Sequence, residues 1–155
     1  MKSLVYLAYA IGWWLIKHLP ENFAYGLGRA IADFAYKKNG KGVKRLRKNY
    51  SRVLGIEVSD ELVKSGMRSY LRYWIDTFRF PNWNKERIIS TVTCEGENLL
   101  REPIAKGRGV IVALPHAGNW DHAGAYFCST GIPLTTVAEH LEPEKLFRKF
   151  LEYRE

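Results

Sequence analysis

The chain has 155 residues, of which 46% are hydrophobic and 14% aromatic, enough apolar material to bury a core, and this argues against a disordered chain. Cys94 and Cys128 lie far apart and outside any CxxC spacing, which suggests neither a disulfide framework nor a zinc site and fits a reducing compartment. The net charge of +8 is concentrated: eight Lys or Arg residues (37, 38, 41, 44, 45, 47, 48 and 52) and no acid fall between Lys37 and Arg52, which calls for an anionic partner or a solvated helix face.

The N-terminus opens on an uncharged run, Leu4 to Ile16, which carries Tyr6, Tyr9, Trp13 and Trp14 and is bracketed by Lys2 and Lys17. As a helix, Ser3 to Ile16 extends about 21 Å, short of the roughly 30 Å hydrocarbon thickness of a bilayer, so the run is not expected to span a membrane. Trp13, Trp14 and Ile16 stand where a signal peptide would need small residues for cleavage. Two readings remain open, an ordinary core helix and an anchor lying in the membrane interface, where tryptophan and tyrosine rings are half apolar and half wet.

Phe23, Leu27, Ala30, Ile31 and Phe34 recur at helical spacing downstream of Pro20 and predict a helix over Asn22 to Lys38, ended by Gly40 and Gly42. The basic run predicts a further helix over Val43 to Leu54. Ser59 or Asp60 can then cap a longer helix with Val63, Met67, Tyr70, Leu71, Trp74 and Phe78 on one face, closed by Pro81.

From about Ile88 the texture changes to β-branched runs that alternate with short helical patterns between glycines, as in a βαβ arrangement. Strands are expected over Ser90 to Glu95, Gly109 to Leu114 and Leu134 to Ala138, and helices over Glu97 to Ala105, Asn119 to Ser129 and Pro143 to Glu155. The run Gly-Val-Ile-Val-Ala-Leu reads as a strand buried on both faces of a parallel sheet. Ligands of open α/β sheets bind beyond the carboxyl ends of such strands, which is where Pro115 and His116 stand. The expected fold is therefore α/β: a helical, membrane-associating layer over 1–82, then the first part of a mostly parallel sheet with flanking helices over 83–155. Three strands would leave the sheet's faces uncovered, and the last segment reads as helix without a C-cap, so sequence beyond Glu155 is also expected.

His116 follows the expected buried strand, and Asp121 falls five residues later in the first turn of the next helix. A histidine titrates near neutral pH, and a carboxylate on its second nitrogen fixes the tautomer and stabilises the imidazolium. Backbone N–H groups at Gly118 and Asn119 could face an oxyanion at the start of that helix. By residue type alone, a capping aspartate beside a hydrogen-bonded histidine explains the pair equally well. A metal site built from His116, Asp121 and His122 is disfavoured because a helix aims neighbouring residues about 100° apart. No serine lies in a nucleophile elbow, Cys128 has no partner signal, and Gly107-Arg108-Gly109 precedes a strand instead of opening a helix.

The block Leu114-Pro115-His116-Ala117-Gly118-Asn119-Trp120-Asp121 resembles the H-x4-D block of the lysophospholipid acyltransferase superfamily. With Thr136-Val137-Ala138-Glu139, Arg68-Ser69-Tyr70-Leu71-Arg72-Tyr73-Trp74 and the tryptophan-bearing N-terminus, it resembles the phosphatidylinositol mannoside acyltransferases of the bacterial glycolipid branch, relatives of the lipid A lauroyl acyltransferases. The resemblance implies transfer of an acyl chain from acyl-CoA or acyl carrier protein to a sugar hydroxyl of a membrane glycolipid. It implies His116 as base and Asp121 as its orienter, places Glu139 and Arg154 near donor and acceptor together with Asn119, and calls for no metal and no cofactor beyond the acyl-CoA donor. The expected partners are an anionic membrane surface, the acyl donor and the glycolipid acceptor, not nucleic acid, and the expected location is peripheral, on the cytoplasmic face of the cell membrane. Members of that family run to roughly twice this length and carry a further acidic residue beyond the position of Glu155. The alternative reading is a basic helical module that binds nucleic acid or membrane without catalysis, and it leaves Trp13, Trp14 and the H-x4-D block unexplained.

Overall fold

The structure is a computed structural model that describes residues 2–115, 117–137, 139–140 and 142–154, with side chains described over the same ranges apart from 2–6, 153 and 154. Eight α-helices are described: α1 (Lys2–His18), α2 (Glu21–Lys38), α3 (Lys41–Leu54), α4 (Asp60–Arg79), α5 (Lys85–Ser90), α6 (Asn98–Ala105), α7 (Trp120–Ser129) and α8 (Glu144–Arg154), with a 3₁₀ turn at Phe80–Asn82. The chain divides into two units, one of Met1–Asn82 with Leu141–Lys149 and the other of Trp83–His140 with Phe150–Glu155.

In the first unit α4 is the central element, with α1, α2 and α3 packed against it. Ser59 stops α4 at its N-terminus by accepting a hydrogen bond from the Leu62 amide, 3.2 Å away, which satisfies one of the amides a helix start leaves unpaired. Helices α2 and α3 each end on a left-handed residue, Asn39 (φ 44°) and Gly55 (φ 69°), as the chain reverses. The large residues whose spacing marks α2 are not its packing face: Phe23 is 72% and Phe34 62% exposed, whereas Ala24 and Ala32 are wholly buried. Helix α2 meets α4 through the small stripe Ala24, Gly28 and Ala32, and a Cβ added at Gly28 would stand 2.9 Å from Ile75 Cγ1. Small residues let the two backbones approach closely, leaving the bulky apolar side chains of α2 facing outward.

Two apolar clusters result, Ile16, Ala24 and Ile75 at one end and Val43, Val58 and Val63 at the other. Polar groups tie the helices across them. Arg68 donates to both carboxylate oxygens of Asp33, at 2.7 and 2.6 Å, and this fork holds the Asp33 carboxyl below the usual carboxylate range. Burial pushes the Tyr25 phenol up, and the hydrogen bond it donates to Asp76 at 2.6 Å adds to the effect. Arg47 donates to the Val58 carbonyl at 3.1 Å and pairs with Asp60. Arg79, buried, reaches back to α1 and donates to the carbonyls of Ile16 (3.0 Å) and Leu19 (2.5 Å), oxygens the end of a helix leaves unpaired.

In the second unit α5 packs on α7, and among the described residues Ile88 and Ile132 are its buried apolar residues outside α8. Asn84 caps α5 by accepting from the Arg87 amide at 2.9 Å. Arg101 of α6 donates to Glu97 (2.7 Å) and to the carbonyl and hydroxyl of Thr130 (3.2 and 2.8 Å), while Tyr126 of α7 donates to the second oxygen of Glu97 (3.1 Å).

The structure departs from the expected α/β fold with its mostly parallel sheet: the chain is about 70% helical, and no strand or sheet is present among the described residues. The segment expected as a first strand begins as the last residue of α5, Ser90, and continues as turn and irregular chain. Gly109 to Leu114 is exposed throughout and unpaired, with Ile111 99% exposed, the reverse of a strand buried on both faces. Leu134 to Val137 is likewise unpaired, with Val137 99% exposed, and Ala138 lies outside the described residues. The β-branched pattern reports a chain suited to an extended backbone, whereas a strand also needs a ladder partner and a covering layer. The described residues supply neither for these runs.

Candidate functional site

Two of the site residues read from the sequence, Asn119 and Asp121, stand at the start of α7. Gly118 takes φ 68°, a left-handed conformation with nothing within 4 Å of an added Cβ, so the requirement for glycine there is conformational and not steric. Asn119 follows as the cap: its Oδ1 accepts from the His122 amide at 3.1 Å. Asp121 occupies the first turn and is partly buried, where the positive end of the helix dipole favours a carboxylate. Upstream, the Ala117 amide donates to the Pro115 carbonyl at 2.8 Å. His116 lies outside the described residues.

Asn119 and Asp121 are thus brought together on one helix start, the side-chain oxygen of the first committed to the cap. Glu139 is exposed and follows the irregular segment after α7. Arg154 is the last residue of α8, and its side chain lies outside the described residues. Among the described residues no group of three His, Cys, Asp or Glu side chains is arranged to hold a metal ion.

Sequence reasoning missed the surroundings of His122. Its Nε2 lies 3.0 Å from Thr91 Oγ1, its ring stands edge-on to Trp83 with centroids 5.1 Å apart, and the Arg87 guanidinium covers Trp83 at 4.5 Å. Thr91 is 31 residues away in sequence and Trp83 further still, and no local pattern announces such pairs. Further along α7, accepting the Tyr126 hydrogen bond lets Glu97 push the phenol up, with burial adding to it.

Residues 1–155 match the family model of the bacterial lipid A biosynthesis acyltransferases, and the chain belongs to that family. It is 42% identical over 152 residues to the phosphatidylinositol mannoside acyltransferase of Mycolicibacterium smegmatis, covering 96% of this chain and 49% of that protein. It is 39% identical over 153 residues to the protein of the same name from Mycobacterium tuberculosis, covering 96% of this chain and 48% of the relative. The chain spans about half the length of the curated relatives it matches.

Proposed function

We propose that this chain carries the base-bearing half of an acyltransferase that moves a fatty acyl group from acyl-CoA, or from acyl carrier protein, to a sugar hydroxyl of a membrane glycolipid of the phosphatidylinositol mannoside class. The observation that carries the reading is the block Leu114 to Asp121, which ends with Asp121 in the first turn of a helix capped by Asn119. The names of the relatives at 39–42% identity supply the substrate class.

In this reading His116 takes the proton of the acceptor hydroxyl as its oxygen attacks the thioester carbonyl, and Asp121 holds the imidazole in the accepting tautomer and offsets its charge. The tetrahedral oxyanion faces amides at the start of α7. Collapse breaks the C–S bond, the proton passes from the imidazolium to the thiolate, and ester and free thiol leave. A thiolate departs readily, so positioning and one base suffice without a metal or an acyl-enzyme. Glu139 and Arg154 are assigned to the donor and acceptor side of the groove.

The proposed setting is peripheral, on the cytoplasmic face of the cell membrane. Supporting it are the outward residues of α1 and α2 (Ile11, Trp14, Phe23, Leu27, Ile31 and Phe34) and the basic α3, whose end exposes Val53 and Leu54. No helix among the described residues is long and apolar enough to cross a membrane.

The test is acyl transfer by the complete protein from labelled acyl-CoA to phosphatidylinositol mannoside. His116→Ala and Asp121→Asn are expected to lower kcat by roughly 10²-fold or more, the usual worth of a positioned base. Equal transfer by His116→Ala and wild type would end the mechanism, and retention of oligonucleotides in preference to anionic vesicles would favour a nucleic-acid module.

A further inference from the structure

We propose that His122 is a positioning residue for Asp121: its ring, bonded to Thr91 and braced on Trp83, pins the first turn of α7 to α5. The inference rests on the reading of Asp121 as the residue that orients the catalytic base.

One proton decides the direction of the bond between Thr91 and His122. Thr91 Oγ1 lies 2.7 Å from the Arg87 carbonyl, 3.3 Å from that of Ile88 and 3.0 Å from His122 Nε2. A hydroxyl has a single hydrogen to donate, and the short contact to Arg87 O takes it. The remaining contact then requires the imidazole to donate, so Nε2 carries hydrogen and Thr91 accepts. The orientation is fixed from the threonine side, because its hydroxyl closes the last turn of α5.

His122 therefore holds its helix in two directions. Its backbone amide goes to the cap, Asn119 Oδ1 at 3.1 Å, and its side chain goes to the end of α5. Trp83 meets the ring edge-on at 5.1 Å and is itself covered by the Arg87 guanidinium at 4.5 Å, so the brace is a stack of three side chains and not a single bond. Successive residues of a helix are set about 100° apart. Once the direction of His122 about the helix axis is fixed, that of Asp121 is fixed with it. A misplacement of about 1 Å in a catalytic constellation can cost on the order of 10²-fold in rate, so a brace one residue from Asp121 is a lever on turnover.

Two substitutions remove the bond from opposite ends: His122→Phe keeps an aromatic edge against Trp83, and Thr91→Val is nearly isosteric. Two others keep it: His122→Gln can present an amide N–H near the position of Nε2, and Thr91→Ser retains the hydroxyl. In the complete protein, with acyl-CoA and phosphatidylinositol mannoside, the first pair is expected to lower kcat by about tenfold or more with KM for acyl-CoA within about twofold, and the second pair to recover most of the loss. A general loss of packing would lower His122→Gln as far as His122→Phe, and that result would overturn the proposal, as would kcat within twofold of wild type for both His122→Phe and Thr91→Val.

A second readout does not depend on turnover. ¹⁵N spectra of the imidazole are expected to show the Nε2–H form in wild type, and exchange of the His122 amide, bonded to Asn119 Oδ1, is expected to accelerate in Thr91→Val. An Nδ1–H tautomer, or unchanged exchange of the His122 amide, would overturn the placement. Absence of acyl transfer by wild type would defeat the proposed function, leaving the tautomer and the exchange rates to decide whether His122 positions the start of α7.

Discussion

Replacing Arg79 by methionine tests how the tryptophan-bearing helix α1 is held to α4. The guanidinium is buried and donates to the α1 carbonyl of Ile16 at 3.0 Å and to that of Leu19, just past the helix, at 2.5 Å, with Glu21 Oε2 3.8 Å away. Hydrogen bonds from a charged donor contribute about 1.5–3 kcal/mol each, so two supply roughly 3–6 kcal/mol. Against this stands the cost of keeping a guanidinium out of water, which methionine removes, and Arg79 Nε has no partner among the described residues. The net loss expected for Arg79→Met is about 3 kcal/mol, on the order of a hundredfold in the folded-to-unfolded ratio. With a urea slope of about 2 kcal/mol/M, the midpoint of the transition followed by tryptophan fluorescence should fall by about 1.5 M. Lysine, a point donor, should recover part of the loss by reaching one carbonyl. A midpoint for Arg79→Met within about 0.3 M of wild type, at unchanged slope, would refute the view that Arg79 secures α1.

Two glycines of α2 should respond oppositely to alanine. Gly26 has open space around an added Cβ, so Gly26→Ala should raise stability by about 0.5–1 kcal/mol through helix propensity, whereas at Gly28 the Cβ meets Ile75 Cγ1 at 2.9 Å and Gly28→Ala should cost about 1–3 kcal/mol, both read by thermal unfolding. Asp33 has its folded-state pKa depressed by Arg68, so its contribution is present above the unfolded carboxylate value of about 3.9 and is lost as pH falls through the lower folded value. Acid unfolding of Asp33→Asn should accordingly be less steep below about pH 4 than that of wild type, and identical acid limbs would rule the pair out as a source of pH dependence.

The helices were legible because their signals are local. Ser59 before a periodic run is such a signal, whereas the stop expected at Gly40 and Gly42 falls at left-handed Asn39, and Gly55 and Asn119 are caps that no expectation named. Which face of a helix is buried was less legible. Phe23 and Phe34 mark the period of α2, yet the stripe Ala24, Gly28 and Ala32 makes the contact, because close backbone approach is a property of two helices and periodicity describes one. The sheet was misread for a related reason, since Ile111 and Val137 have the residue type of strands while the described chain offers them no ladder. At the site, the H-x4-D block could be read from eight consecutive residues, while the cap fell on Asn119 and not on the aspartate. The brace on His122 could not, because Trp83 and Thr91 come from another helix's surroundings and nothing in their own neighbourhood refers to α7.

The polar set that joins α6 to the far end of α7 bears on how this sequence can change over time. Glu97 accepts from both Arg101 and Tyr126, and Arg101 in turn donates to Thr130. An apolar contact tolerates drift in volume one side at a time, but loss of a single donor or acceptor in a closed set leaves the others without their partners. Glu97, Arg101, Tyr126 and Thr130 should therefore be inherited as a group: a lineage that loses one will either restore it or replace the rest, and variation at these four positions should be correlated where their neighbours vary independently.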